Sequence, residues 1–187
     1  MFYSIGANWN ILKELFTNSW NNVNTLRLRA SYGTSANAKN FPLATGDVFA
    51  TYAAGTYAGF PTLVPAGPGL YEADWEYTNQ LNIGVDFGLF RDRLSGSLDV
   101  YNKVTNNLYL GQQVSALAGL PDPTLDINAG SMRNRGVEIQ LNYTIIRNRL
   151  LTWSAGANLA YNQNRITDLG QVNERELGTS IVRVGLP

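Results

Sequence analysis

Apolar and polar positions alternate through most of YTNQLNIGVDFGLFRDRLSGSLDVYNK, residues 77–103. Leu81, Ile83, Val85, Phe87 and Leu89 share one parity, and Asn82, Gly84, Asp86 and Gly88 fill the other. After Arg91-Asp92-Arg93 the alternation resumes, with Leu94, Leu98 and Val100 against Ser95, Ser97 and Asp99. A period of two describes a strand with one apolar and one polar face. The signature predicts six strands: about residues 2–12, 25–32, the pair between Trp75 and Leu108, 136–146 and 150–167. In the fifth, Val137, Ile139, Leu141, Tyr143 and Ile145 oppose Glu138, Gln140, Asn142 and Thr144. In the sixth, Leu151, Trp153, Ala155, Ala157, Leu159 and Tyr161 oppose Thr152, Ser154, Gly156 and Asn158.

The connections fall into two classes. FRDRL (90–94) and IRNRL (146–150) are short near copies, and the runs before them align at an offset of 56 residues. Beyond the turn the copies slip by one. Long segments rich in Gly and Pro, about 33–74 and 107–135, follow the second and fourth strands, and little strand pattern is visible in them. Loops of this length are uncommon in compact domains. The order predicts an antiparallel up-and-down meander with tight turns at one rim and large loops at the other, as in outer-membrane barrels.

A soluble β-sandwich would also bury one face of each strand. Two features favour lipid as the apolar medium. Strands of globular proteins run about five or six residues, and the alternation on either side of FRDR persists for more than twice that. On the third strand Trp75 and Tyr77 sit at one end, Phe87 at the other, and Leu81, Ile83 and Val85 between. From Tyr77 to Phe87 is roughly 33 Å of strand, or about 23–25 Å of height at a tilt near 40–45°, which is the height of a barrel's apolar band between its aromatic girdles. Trp153 and Tyr161 repeat the placement on the sixth strand. Composition agrees: charged residues are only 15% against about 25% for an average protein, and aromatics reach 11%.

The opposite face then lines a lumen, with Arg27, Arg29, Asp86, Asp99, Lys103, Glu138, Gln140 and Asn142 as wall residues. With 14 basic and 14 acidic residues the chain carries no electrostatic footprint for nucleic acid. Cysteine and histidine are absent, which excludes disulfides, thiolate zinc sites and histidine-based catalysis. Asp86 and Asp99 are a carboxylate pair with nothing to place them around a reacting bond. Asp122 and Asp126 are candidate Ca²⁺ contacts, or simply polar residues of a Pro-rich loop. Tyr52, Tyr57, Phe60 and Tyr71 are loop aromatics suited to stacking on sugar rings, or on one another. No catalytic, cofactor-binding or metal-binding residue is assigned, and the substrate-binding residues are unknown. No run approaches the 18 apolar residues of a transmembrane helix, and the N-terminus lacks the basic start of a signal peptide.

Four segments, TLRLRASYGTSAN, WEYTNQLNIGVDFGLFRDRLSGSLDVYNKVTNNL, NAGSMRNRGVEIQLNY and WSAGANLAYNQNRITDL, together resemble SusC/RagA-like TonB-dependent outer-membrane transporters of Bacteroidetes-type bacteria. The resemblance covers about Thr25 to Leu169, and SIVRVGLP looks like the family's next extracellular segment. Ala36, Leu186 and the missing lysine before Trp75 depart from the usual pattern. The resemblance implies a large barrel closed around a plug, located in the outer membrane. It also implies TonB-driven uptake of glycans or peptides and a SusD-like surface lipoprotein as partner. The expectation is therefore an all-β, partial transmembrane barrel of about six strands: residues 1–187 are part of the barrel domain, the plug is absent, and Met1 is a fragment boundary or an internal methionine. It is a transporter fragment without enzymatic activity, in contact with outer-membrane lipid. A simple porin, a siderophore receptor and a secreted carbohydrate-binding β-sandwich are the alternatives. Two open edges and a greasy face predict aggregation of the isolated piece.

Overall fold

The computed structural model describes residues 2–13, 20–37, 49–67, 69, 74–113, 115, 117, 124–170, 172–177 and 180–187. Six strands form one sheet: β1 (Ser4–Asn10), β2 (Val23–Asn37), β5 (Glu76–Leu89), β6 (Leu94–Gln113), β7 (Thr124–Arg147) and β8 (Thr152–Asp168), adjacent in that order. Every neighbouring pair is antiparallel. A 3₁₀ turn, Ile11–Lys13, follows β1. Two separate hairpins, β3 (Thr51–Tyr57) with β4 (Phe60–Gly67) and β9 (Glu174–Leu177) with β10 (Ser180–Arg183), complete the elements.

The register turns the alternation of each strand into rows across the sheet. Trp9, Leu28, Val85, Leu98, Ile139 and Leu159 form one apolar row, and Ala7, Ala30, Ile83, Val100, Val137 and Tyr161 form the next on the same face. The intervening row, Asn8, Arg29, Gly84, Asp99, Glu138 and Ala160, points the other way. Among the described residues nothing covers the apolar face. Leu169, 6% exposed, is the one buried apolar side chain among the described residues, and Ile83, Val100 and Leu159 stand open at 45%, 47% and 67%. A sandwich would have a second sheet about 10 Å away. Among the described residues this sheet has none, so the sandwich alternative is set aside.

The apolar band also slides across the sheet. Tyr161 on β8 registers, through Val137 and Val100, with Ile83 of β5, six residues below Tyr77. At the lower edge, Phe87 registers through Gly96 and Leu141 with Ala157, four residues above Trp153 in sequence. A band that stays level in a membrane while moving one to two residues per strand needs strands tilted by about 35–55°, given ~3.3 Å per residue and ~4.8 Å between strands. The upper edge carries paired aromatics: Phe2 stacks on Trp75 at 5.9 Å and Tyr3 meets Tyr32 at 6.1 Å.

Several elements differ from the pattern-based expectation. Strands β6 and β7 run on to Gln113 and start at Thr124, well into the segment read as a long loop. The other long segment holds the β3–β4 hairpin. Ile145 does not continue the apolar row. A bulge between Thr144 and Ile146 leaves it out of register, and Ile146 faces Trp153 in its place. One extra residue reverses parity, which accounts for the odd slip between the hairpin copies. The two turns also differ in conformation. Phe90, Arg91 and Asp92 all have positive φ (57°, 58° and 59°), held by Phe90 N–H donating to the Asn22 carbonyl and Arg91 N–H to Asn24 Oδ1. The second turn is built on Asn148 Oδ1, which accepts from Leu150 and Leu151 N–H.

Candidate functional site

The polar face brings together every wall residue read from the sequence. Arg27, Arg29, Asp86, Asp99, Lys103, Glu138, Gln140 and Asn142 all lie on it by register. At its centre, Arg29 on β2 reaches across β5 to β6. Its Nε and Nη2 donate to both oxygens of Asp86 (3.0 and 2.9 Å), and Nη2 also donates to Asp99 Oδ1 (2.9 Å). Gly84 lies beneath this reach: a side chain there would collide with Asp99 Oδ1 and come within 2.8 Å of Arg29 Nη2. A strand glycine thus makes room for a close approach. The two carboxylates are tied to one guanidinium rather than aimed at a shared reacting atom, so the arrangement is a structural clamp.

A shallow open groove of about 340 Å³ runs beside the clamp, lined by Asn8, Arg29, Asn82 and Asp99 among others. Lys103 lies over the Tyr101 ring at 5.4 Å, and Tyr101 Oη donates to Asn162 Oδ1 at 3.2 Å. The wall is polar and hydrogen-bonding, suited to polar solutes. Because the three charged groups of the clamp are 29–40% exposed, solvent screens them. Arg29→Met is therefore expected to lower the stability of the membrane-inserted protein by only about 1–2 kcal/mol, with Arg29→Lys intermediate because the fork is lost and the charge kept. Equilibrium unfolding at low and high salt checks this; the difference should shrink with salt.

The outer rim holds a polar knot that sequence reasoning missed. Asn128 on β7 accepts from Asp74 N–H (2.8 Å) and donates to the carbonyls of Asp74 (2.7 Å) and Asn107 (2.8 Å). Asn107, at φ 57°, is the bulged residue of β6 and donates to Asp74 Oδ2 at 3.3 Å. Glu76 accepts from Tyr109 N–H and from Asn37 Nδ2. These contacts tie β2, β5, β6 and β7 together above the apolar band. No local sequence pattern marks it, because the partners of Asn128 lie 21 and 54 residues away.

Of the loop candidates, Tyr52, Tyr57 and Phe60 lie on the β3–β4 hairpin, exposed at 64%, 80% and 74%, with Tyr57 opposite Phe60. They form no ring pair with one another among the described contacts. Tyr71, Asp122 and the side chain of Asp126 lie outside the described residues.

The chain matches the family described as TonB dependent receptor-like, beta-barrel, over residues 1–183. It is 32% identical over 185 residues to a TonB-dependent receptor of Formosa agariphila, covering 98% of this chain and 17% of that protein. It is 27% identical over 178 residues to the TonB-dependent receptor SusC of Bacteroides thetaiotaomicron, again covering 17% of the relative and 90% of this chain. Among solved structures, the RagAB peptide importer in its open-open state superposes with a TM-score of 0.82 at 30% identity, over the whole of this chain and 20% of that one. The chain thus spans about a fifth of the length of the proteins it matches.

Proposed function

The chain belongs to the TonB-dependent receptor β-barrel family, and from that premise we propose that it forms a sector of the barrel wall of an outer-membrane importer for glycans or peptides. The supporting observation is the two-faced sheet: a continuous uncovered apolar band with aromatic edges behind a polar, ion-paired inner wall. In this reading the remaining strands close the barrel, a plug domain elsewhere in the protein fills it, and TonB energises it from the periplasmic side. A surface lipoprotein of the SusD kind covers the outer mouth, and the wall has no catalytic role. The exposed aromatics of β3–β4 are the groups of this sector suited to meet a sugar ring or an aromatic peptide side chain.

Membrane fractionation and uptake test the proposal together. The full-length receptor should sediment with the outer membrane, and cells lacking it should lose accumulation of one oligosaccharide or oligopeptide class. Recovery of the receptor in another compartment, or uptake of both classes unchanged in the deletion strain, would sink the reading.

A further inference from the structure

The outward face does not end at the aromatic edge. Above Val137 on β7 and Tyr161 on β8, the next outward positions are Arg135, opposite Gln163, and then Arg133, directly opposite Arg165. These three arginines have the parity of Ile139, Leu141 and Leu159, so they stand on the face that meets lipid, not on the inner wall. Two and four residues beyond the apolar band correspond to roughly 5 and 10 Å of height at the strand tilt, which is headgroup level. The short turns lie at the opposite rim, so this is the outer leaflet.

Like charges directly opposite in an antiparallel pair are destabilising unless something compensates them. Among the described residues no ion pair in this sector does. Arg133, Arg135 and Arg165 take part in none of the ion pairs. Arg135 is fixed instead by a neutral partner, its Nε and Nη2 donating to Gln163 Oε1 at 2.9 and 2.7 Å. The one carboxylate on the outward face of β7 and β8 nearby, Asp168, accepts from Gly170 N–H.

We propose that Arg133, Arg135 and Arg165 form a binding site for the phosphate groups of an anionic outer-leaflet glycolipid. Guanidinium forks match phosphate oxygens in pairs, and a phosphate between Arg133 and Arg165 converts their repulsion into a shared bridge. Lipid is the occupant because the patch continues, without a break in register, the face that lipid already covers. The site rests on the reading of this sheet as membrane wall.

The test uses the full-length receptor, purified in neutral detergent, with its barrel verified by heat-modifiable migration in gels. Native mass spectrometry then measures retention of added lipopolysaccharide, of the same lipid dephosphorylated, and of inorganic phosphate. Wild type should retain the phosphorylated lipid at least fivefold more than the Arg133→Gln/Arg165→Gln double variant does. Arg91→Gln at the opposite rim should retain it like wild type. The dephosphorylated lipid should not discriminate between the proteins, and phosphate alone should compete only in large molar excess. Equal retention by the double variant, equal binding of dephosphorylated lipid, or competition by equimolar phosphate each overturns the site. If the protein fails to give a heat-modifiable barrel at all, the wall reading falls with it; a folded barrel without lipid discrimination removes this site alone.

Discussion

Ile139→Arg is expected to lower the stability of the lipid-inserted receptor by about 1–3 kcal/mol, the cost of a basic side chain inside the apolar band, between the midplane and the interface. The neighbouring change, Gln140→Arg, should fall within about 0.5 kcal/mol of wild type, as surface substitutions usually do. The two positions are adjacent in sequence but on opposite faces. Ile139 lies between Leu98 and Leu159 in the central apolar row, whereas Gln140 lies between Ser97 and Asn158 on the inner wall. Denaturant unfolding in liposomes measures both. A water-soluble sheet of the same shape would predict nearly equal and small effects, because both faces would meet water. Equal losses at 139 and 140 would therefore contradict lipid as the medium, and a larger loss at 140 would invert the sidedness.

The strands that cross the apolar band were legible because lipid on one face and water on the other force a period of two. Where that contrast ends, so does the signal. The upper parts of β6 and β7 stay paired to Gln113 and Thr124, but no apolar medium selects their outward residues. Bulges at Asn107 and Ala129 also reverse the parity within a few positions. The β3–β4 hairpin turns on Ala58-Gly59, both at positive φ (52° and 86°), as a tight hairpin requires. Its sequence carries Pro61 and Pro65, which argue against a central strand but are tolerated in a two-stranded ribbon with open edges. For the inner wall, sequence assigned the face of each charged residue and not its partner. Arg29 meets Asp86 and Asp99 only because β2, β5 and β6 are in a register set by contacts 57 and 70 residues apart. The outer knot around Asn128 was invisible for the same reason. Face is a local property; pairing is not.

The second large effect is expected at a glycine. Gly136 on β7 is buried, lies on the inner face opposite Tyr101 of β6 and Asn162 of β8, and has the Tyr101 ring laid over it. A Cβ there would sit 2.6 Å from both Tyr101 Cζ and the Tyr161 carbonyl oxygen. The ring can swing aside, giving up its hydrogen bond to Asn162. The carbonyl cannot, since it belongs to the β7–β8 ladder. Gly136→Ala should thus cost about 1–3 kcal/mol, the range for overpacking a fitted site. Gly156→Ala on β8 is the contrast. Its nearest neighbour is Asn142 Oδ1 at 2.9 Å, the free end of a side chain. That variant should be close to neutral, helped by the lower entropy of its unfolded chain. Tyr101→Leu provides the cycle that separates the two contacts at Gly136. If the ring dominates, Gly136→Ala becomes nearly free in the Tyr101→Leu background; if the carbonyl dominates, most of the loss persists. The second outcome is expected, because strand spacing is held by the whole ladder while the ring is held by one hydrogen bond. A Gly136→Ala loss no larger than that of Gly156→Ala would show that the close approach of β6 and β8 over this glycine does not matter to the wall.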